Sequence, residues 1–156
     1  MKYLSFILIL FLLYACSATK TQVTIQNIEF KSVAKNTNGR IQELTQTFYT
    51  NQAAFEKAWN MAWSNFSDPT PTPQIDFKKN TVVLVALGMR NNGGYQLKIN
   101  SVREEAGQII VDYTEITPNP KCNTTQAIVF PYEFISFAKT SKKIVFNASA
   151  QVGSCN

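Results

Sequence analysis

Thr81-Val82-Val83-Leu84-Val85-Ala86-Leu87 runs into Gly88, and after a polar loop the chain resumes at Tyr95-Gln96-Leu97-Lys98-Ile99. The first run is fully apolar and reads as a strand. It is expected at the centre of a sheet. Tyr95–Val102 alternates instead, as a strand with one wet face does. Glu104-Glu105-Ala106-Gly107 turn the chain into Gln108–Ile116, where Ile109, Val111 and Tyr113 face one way and Ile110, Asp112, Thr114 and Ile116 the other. Pro118 to Thr125 form a polar loop, and Val129–Phe137 and Ile144–Ala148 read as the last strands.

Upstream the period changes. Phe55, Ala58, Trp59, Ala62, Trp63 and Phe66 recur at spacings of three and four, which predicts one helix of about four turns, capped by Thr50 or Asn51. Its aromatic face is wide enough to anchor it on a sheet. The two Trp share that face, so their phase points to the core and not to a sugar-stacking platform. Asp68-Pro69-Thr70-Pro71-Thr72-Pro73 cannot continue a helix and reads as an extended connector. Before the helix, Val23–Phe30 and Ile41–Tyr49 read as strands around the turn Asn36-Thr37-Asn38-Gly39, an expected hairpin. Strands, one helix, then strands with short connections predict an α+β fold: a mainly antiparallel β-sheet with one amphipathic helix packed on it.

The first residues are of another kind. Lys2 precedes the apolar stretch Leu4–Leu13, too short for a membrane span of ~20 residues but suited to the ~7–15-residue core of an export signal. The stretch ends in Leu13-Tyr14-Ala15-Cys16, which resembles the bacterial lipobox, with Tyr14 bulkier than usual at its position. That resemblance implies a signal peptide over residues 1–15, lipid attachment at Cys16 and a polar tether over 16–22, ahead of a single domain over 23–156. Ser17 is not the Asp that retains some lipoproteins on inner membranes, so an outer-membrane location in the cell envelope is expected. The alternative is an ordinary secretory signal cleaved near Ala18.

Of three cysteines, Cys16 is assigned to lipid, which leaves Cys122 and Cys155 as a pair in an oxidising space. They are expected to form a disulfide, with two free thiols as the alternative. Two distant cysteines and no His make a poor metal site, so no metal or cofactor is expected. The formal charge is +5, with basic residues scattered singly or as the pairs Lys78-Lys79 and Lys142-Lys143. A nucleic-acid binder would show a clustered basic stripe, so no nucleic-acid partner is expected. Lacking His, the chain has no His-based triad. Asp76, Glu104, Glu105, Asp112, Glu115 and Glu133 include no pair that the sequence selects for two-carboxylate hydrolysis, and no enzyme activity is expected.

The stretch most suited to contact is Arg90-Asn91-Asn92-Gly93-Gly94-Tyr95. The glycines permit a tight turn or the close approach of another backbone. The Asn side chains offer amide groups and tolerate left-handed conformations. Tyr95 adds a rigid amphipathic ring, and Arg90 a planar donor fork. Such a mixture suits a protein-binding loop; the other reading is a hairpin turned by Gly93-Gly94 with Tyr95 packed inward.

This region also resembles a family. Ile75-Asp76-Phe77, the strand to Leu87-Gly88, the loop Arg90–Tyr95, Pro118/Pro120 and Pro131-Tyr132 are similar, at corresponding places, to the C-terminal domain of PrcB-type protease-complex proteins. There the loop reads Arg-Pro-Thr-Gly-Gly-Tyr, so Asn91-Asn92 depart from it. The resemblance spans about Phe55 to Phe146. It implies a non-catalytic, membrane-anchored lipoprotein that associates with a secreted or surface protease and stabilises it. The loop also resembles, more loosely, the Thr-Thr-Gly-Tyr loop of chagasin-like cysteine-protease inhibitors. Inhibition through Arg90–Tyr95 is therefore one alternative, and binding of a small ligand or glycan in the envelope another.

Overall fold

The computed structural model describes residues 24–155. The expected signal peptide, the Cys16 lipid site and the tether lie outside the described residues. Within them the order is β1 (Gln26–Ile28), β2 (Phe30–Asn36), β3 (Thr45–Tyr49), α1 (Gln52–Trp63), β4 (Asn80–Ala86), β5 (Gln96–Glu105), β6 (Gln108–Thr117), β7 (Tyr132–Ala138) and β8 (Ile144–Val152). This is the expected α+β class, strand-rich with one helix, but the strands divide between two four-stranded sheets. The outer sheet has the order β1-β5-β6-β8 and the central sheet β2-β7-β4-β3. All pairings are antiparallel except β6 with β8.

The central run explains the layering. Thr81 through Leu87 are all buried. Val83, Val85 and Leu87 face the outer sheet, among Leu97, Ile99, Val102, Ile109, Val111 and Tyr113. Val82, Leu84 and Ala86 face the helix, among Phe55, Trp59, Ala62, Tyr132 and Phe134. A strand covered on both faces has no use for alternation, which is why β4 reads as a continuous apolar run. The helix layer is held by Asn51, whose side chain accepts from the Ala54 amide at 2.9 Å. Trp59 is buried and donates from Nε1 to the Thr70 carbonyl at 2.7 Å, so its indole belongs to the core. The proline-rich connector supplies that carbonyl.

Three sequence expectations are corrected. First, Val23–Phe30 is not one strand. The chain changes sheet at Glu29, with β1 pairing β5 and β2 pairing β7. Second, the expected strand Ile41–Tyr49 begins only at Thr45, because Ile41 enters the helix-side core and Met89 donates its amide to the Gln42 carbonyl. Third, β2 and β3 form no hairpin; they are opposite edges of the central sheet with β7 and β4 between them. The Asn36–Gly39 segment turns the chain without a positive φ. Gly39 is needed for room instead: a Cβ there would come within 2.5 Å of the Tyr132 ring.

That ring carries a hydroxyl with no hydrogen-bond partner among the described residues, in a fully buried position. Burial pushes the Tyr132 hydroxyl up to about 12. The unfolded chain releases this proton near the ordinary value of about 10, so stability is intact below about pH 10 and declines as pH rises toward the folded value, by about 2–3 kcal/mol in all. Tyr132→Phe is expected to be neutral or stabilising by up to about 1 kcal/mol at neutral pH, because it removes a polar group and no bond. It should also flatten the alkaline decline, leaving the smaller contribution of Tyr49, whose burial raises it too. Urea midpoints at pH 7 and above pH 10 measure both effects; a destabilised Phe variant would mean the hydroxyl is well solvated.

Candidate functional site

The loop after β4 lies flat along the loop that joins β6 to β7. Arg90 and Val129 exchange two backbone hydrogen bonds at 2.8 Å each, and the Gly93 amide donates to the Thr125 carbonyl at 2.9 Å. Asn92 donates from Nδ2 to Thr124 Oγ1 at 2.8 Å and accepts from the Gly94 amide at 2.7 Å. Gly93 and Gly94 both have negative φ, and neither Asn is left-handed. The glycines serve close approach, and the approaching chain is the protein's own. A Cβ on Gly94 would sit 2.8 Å from Pro118 Cβ and 2.9 Å from Thr124 Cγ2.

Arg90 anchors the loop on the outer sheet. Its Nε and Nη2 donate to the two oxygens of Glu115 on β6 at 2.8 and 3.2 Å. Its guanidinium carbon stands 5.8 Å from the centre of the Tyr95 ring, so Tyr95 is half-buried beneath it and belongs to neither core cluster. The Glu115 bond, ahead of a burial effect of opposite sign, raises the Arg90 pKa further above its ordinary value. Arg90 is a permanent cation, already occupied by Glu115 and Tyr95. The structure thus brings all six loop residues together, but it makes Arg90, Asn92 and Gly94 the scaffold and leaves Asn91 and Gly93 as the exposed positions.

Alternation across the Arg90–Val129 bridge places Met89, Asn91 and Ile128 on the side opposite Arg90. Met89 is 59% and Ile128 62% exposed, so two large apolar side chains flank an exposed amide. Beside this surface, a cleft of about 680 Å³ opens between Gly93-Gly94 and the Asn119–Thr125 loop, floored by Gln96 and Gln151. Its far wall is the disulfide of Cys122 and Cys155, with Cα atoms 5.3 Å apart, which ties the segment after β8 to the β6–β7 loop. The expected pairing of these cysteines is the one observed. Sequence reasoning did not single out Ile128, Met89, Thr124 or Gln151 for this surface. A lone exposed apolar residue has no periodic signal, and the prolines and Cys122 of the Pro118–Thr125 loop point to the loop but not to which of its residues meet Arg90–Tyr95.

Each carboxylate weighed in the sequence has a basic neighbour. Asp76 pairs with Lys79, Glu104 with Lys142, Glu105 and Asp112 with Arg103, Glu115 with Arg90 and Glu133 with Lys35. Burial pushes the Asp112 carboxyl up, but hydrogen bonds from Asn147, Arg103 and Ser101 outweigh it and leave the pKa lowered. Among the described residues, no group of three or more His, Cys, Asp or Glu is placed to hold a metal ion, and no helix is long and apolar enough to cross a membrane.

The comparisons with known proteins bear on this region directly. Residues 81–138 match the family model described as PrcB C-terminal. This stretch is similar to the PrcB C-terminal domain. The matched residues run from β4 through β7 and so contain both middle strands of the central sheet, the β5–β6 hairpin, the Arg90–Tyr95 loop and Cys122. The match lies inside the stretch Phe55–Phe146 on which the sequence resemblance rests. The helix, β8 and Cys155 stand outside it and pack on or tie to the PrcB-like part. No curated protein and no solved structure matches the chain.

Proposed function

We propose that this protein is a membrane-anchored bacterial lipoprotein, held by acyl chains on Cys16, whose domain associates with a secreted or surface protease and stabilises it without catalysing a reaction. One observation carries the association: the PrcB-like residues 81–138 present an exposed patch of Met89, Asn91 and Ile128 next to a cleft walled by backbone and amide groups. Apolar side chains within a polar rim are the make-up of a protein-contact surface. The lining of amides, hydroxyls and glycine backbone suits an extended polypeptide segment of the partner. The inhibitor alternative is less favoured, because the loop lies along its neighbour and does not project as a wedge.

The test is capture of the tagged full chain from solubilised membranes with mass spectrometry of what accompanies it. A stoichiometric protease is expected, with its level lowered when the gene is deleted. Met89→Ser with Ile128→Ser is expected to cut that recovery by about tenfold or more, as loss of two contact-centre side chains does. Reproducible recovery of nothing, or equal recovery by the double variant, would overturn the reading. Intact-mass measurement of the purified protein tests the anchor separately: a Cys16 without acyl groups, or an N-terminus beyond it, removes the membrane from the proposal.

A further inference from the structure

We propose that β8 is an assembly edge, at which two copies of this chain pair antiparallel about a two-fold axis at Ala148. The four sheet edges are not alike. β1 has three residues and β3 five, and β2 is bulged between Ser32 and Ala34 and carries Lys31 and Lys35. Short length, a bulge and lysines all discourage edge-to-edge pairing. β8 has none of these protections. It runs for nine residues, Ile-Val-Phe-Asn-Ala-Ser-Ala-Gln-Val, without a charge or a proline, and its register with β6 is unbroken from Ile144 to Val152.

The far part of β8 stands clear of the core. Gln46 on the edge strand β3 donates to the Tyr113 hydroxyl on β6 at 2.6 Å, so β3 lies across from β6. At the start of β8 Ile144 and Phe146 still pack partly buried on the core between the sheets, and the strand then runs out beyond it. Asn147 to Val152 are accordingly exposed on both faces. The backbone direction follows from the ladder. Lys143 accepts from the Ile109 amide and Gly153 donates to the Thr117 carbonyl, so the odd-numbered residues between them turn their N–H and C=O toward β6. Ile144, Phe146, Ala148, Ala150 and Val152 therefore turn theirs outward.

These outward groups are self-complementary. With the axis at Ala148, Ile144 lies opposite Val152 of the second copy, Phe146 opposite Ala150, and Ala148 opposite itself. Every one of these is an outward-facing pair, so each exchanges two hydrogen bonds; Ile144 meets an apolar Val152, and the large Phe146 meets a small Ala150. On the other face Val145 meets Gln151, and Asn147 meets Ser149. Lys142 and Lys143 lie opposite Ser154 and Gly153, so no like charges confront each other, and the two outer sheets join into one of eight strands. This surface is separate from the Met89–Ile128 patch and does not depend on the proposed protease partner.

Ala148→Cys in the full chain tests the register. In such a pair the two Cα atoms are about 5.5 Å apart, within disulfide reach. Mild oxidation of membranes is expected to give a covalent homodimer through residue 148. Ala150→Cys lies four residues from its mate along the ladder, about 13 Å, and is expected to stay unlinked beyond the background set by the unmodified chain. Sedimentation of the detergent-solubilised chain is expected to show a dimer, and Ala148→Lys, an exposed position, a monomer with unchanged melting, because like charges then face each other. A monomeric parent chain, absence of the residue-148 link, its formation to a different protein, equal linking at residue 150, or a dimeric Lys variant would each overturn the proposal.

Discussion

Replacing Cys122 and Cys155 together by Ala is expected to lower stability by about 3–4 kcal/mol, the entropic cost of releasing a loop of this size. The link spans 33 residues and its two ends have little else to hold them. The Asn119–Thr125 loop makes few backbone bonds of its own, and after β8 the tail is tied by the Gly153 amide on the Thr117 carbonyl at 2.8 Å. Changing both residues avoids leaving a lone reactive thiol, so the measured loss reports the bond. Urea unfolding of the two proteins, with and without reductant, gives the number. The consequence reaches the site as well. Thr124 and Thr125 are the partners of Asn92 and Gly93, so freeing their loop loosens one wall of the cleft, and recovery of a partner should fall with stability. A loss under about 1 kcal/mol would mean that β6–β8 pairing alone fixes the tail.

Phe55→Ala is expected to cost about 3–5 kcal/mol, the range for emptying a fully packed aromatic site. Phe55 has no exposed surface and meets three rings edge-on, Trp59 at 5.6 Å, Phe77 at 6.1 Å and Phe134 at 5.5 Å between centroids. These come from the helix itself, the connector before β4, and β7. Trp59 cannot move in to fill the space, because its Nε1 is committed to the Thr70 carbonyl. One substitution therefore loosens the helix layer from the central sheet. Met61→Ala, on the same helix but 57% exposed, is expected to change stability by less than about 0.5 kcal/mol. Thermal melts of the pair separate packing from helix propensity; similar losses in both would sink the argument.

Much of the architecture was legible wherever burial imposes a period. The helix was readable from the Phe55–Phe66 period because one face must stay dry, although it ends at Trp63 and leaves Phe66 beyond it, and β4 from its unbroken apolar run. The β5 alternation is real but shifts phase: Leu97 and Ile99 point inward, and a bulge between Ile99 and Ser101 brings Val102 inward in place of Ser101. That shift is invisible until a partner strand exists. The false hairpin has a similar origin. A turn signal at Asn36–Gly39 says that the chain bends, but which strand it then meets depends on β4 and β7, which come much later in the chain.

The Arg90–Tyr95 loop shows the same division. Its glycines, amides and ring are legible in the sequence, but what each of them touches is not. Two glycines can mean a turn or a close approach, and only the position of Pro118 and Thr124 decides between them. Arg90 looks free in a linear reading, but Glu115, 25 residues on, occupies it.

The amino-acid sequence alone determined the local order: where a helix must form, which strand is central, where the chain turns, and the PrcB-like character of residues 81–138. These follow from side-chain period and backbone preference within a few residues. Tertiary structure alone decided that the strands split into two sheets, that Arg90 is an anchor while Met89 and Ile128 are exposed, and that β8 is an edge strand with no further strand beside it among the described residues. Those outcomes depend on contacts between segments far apart in the chain, which no local pattern encodes.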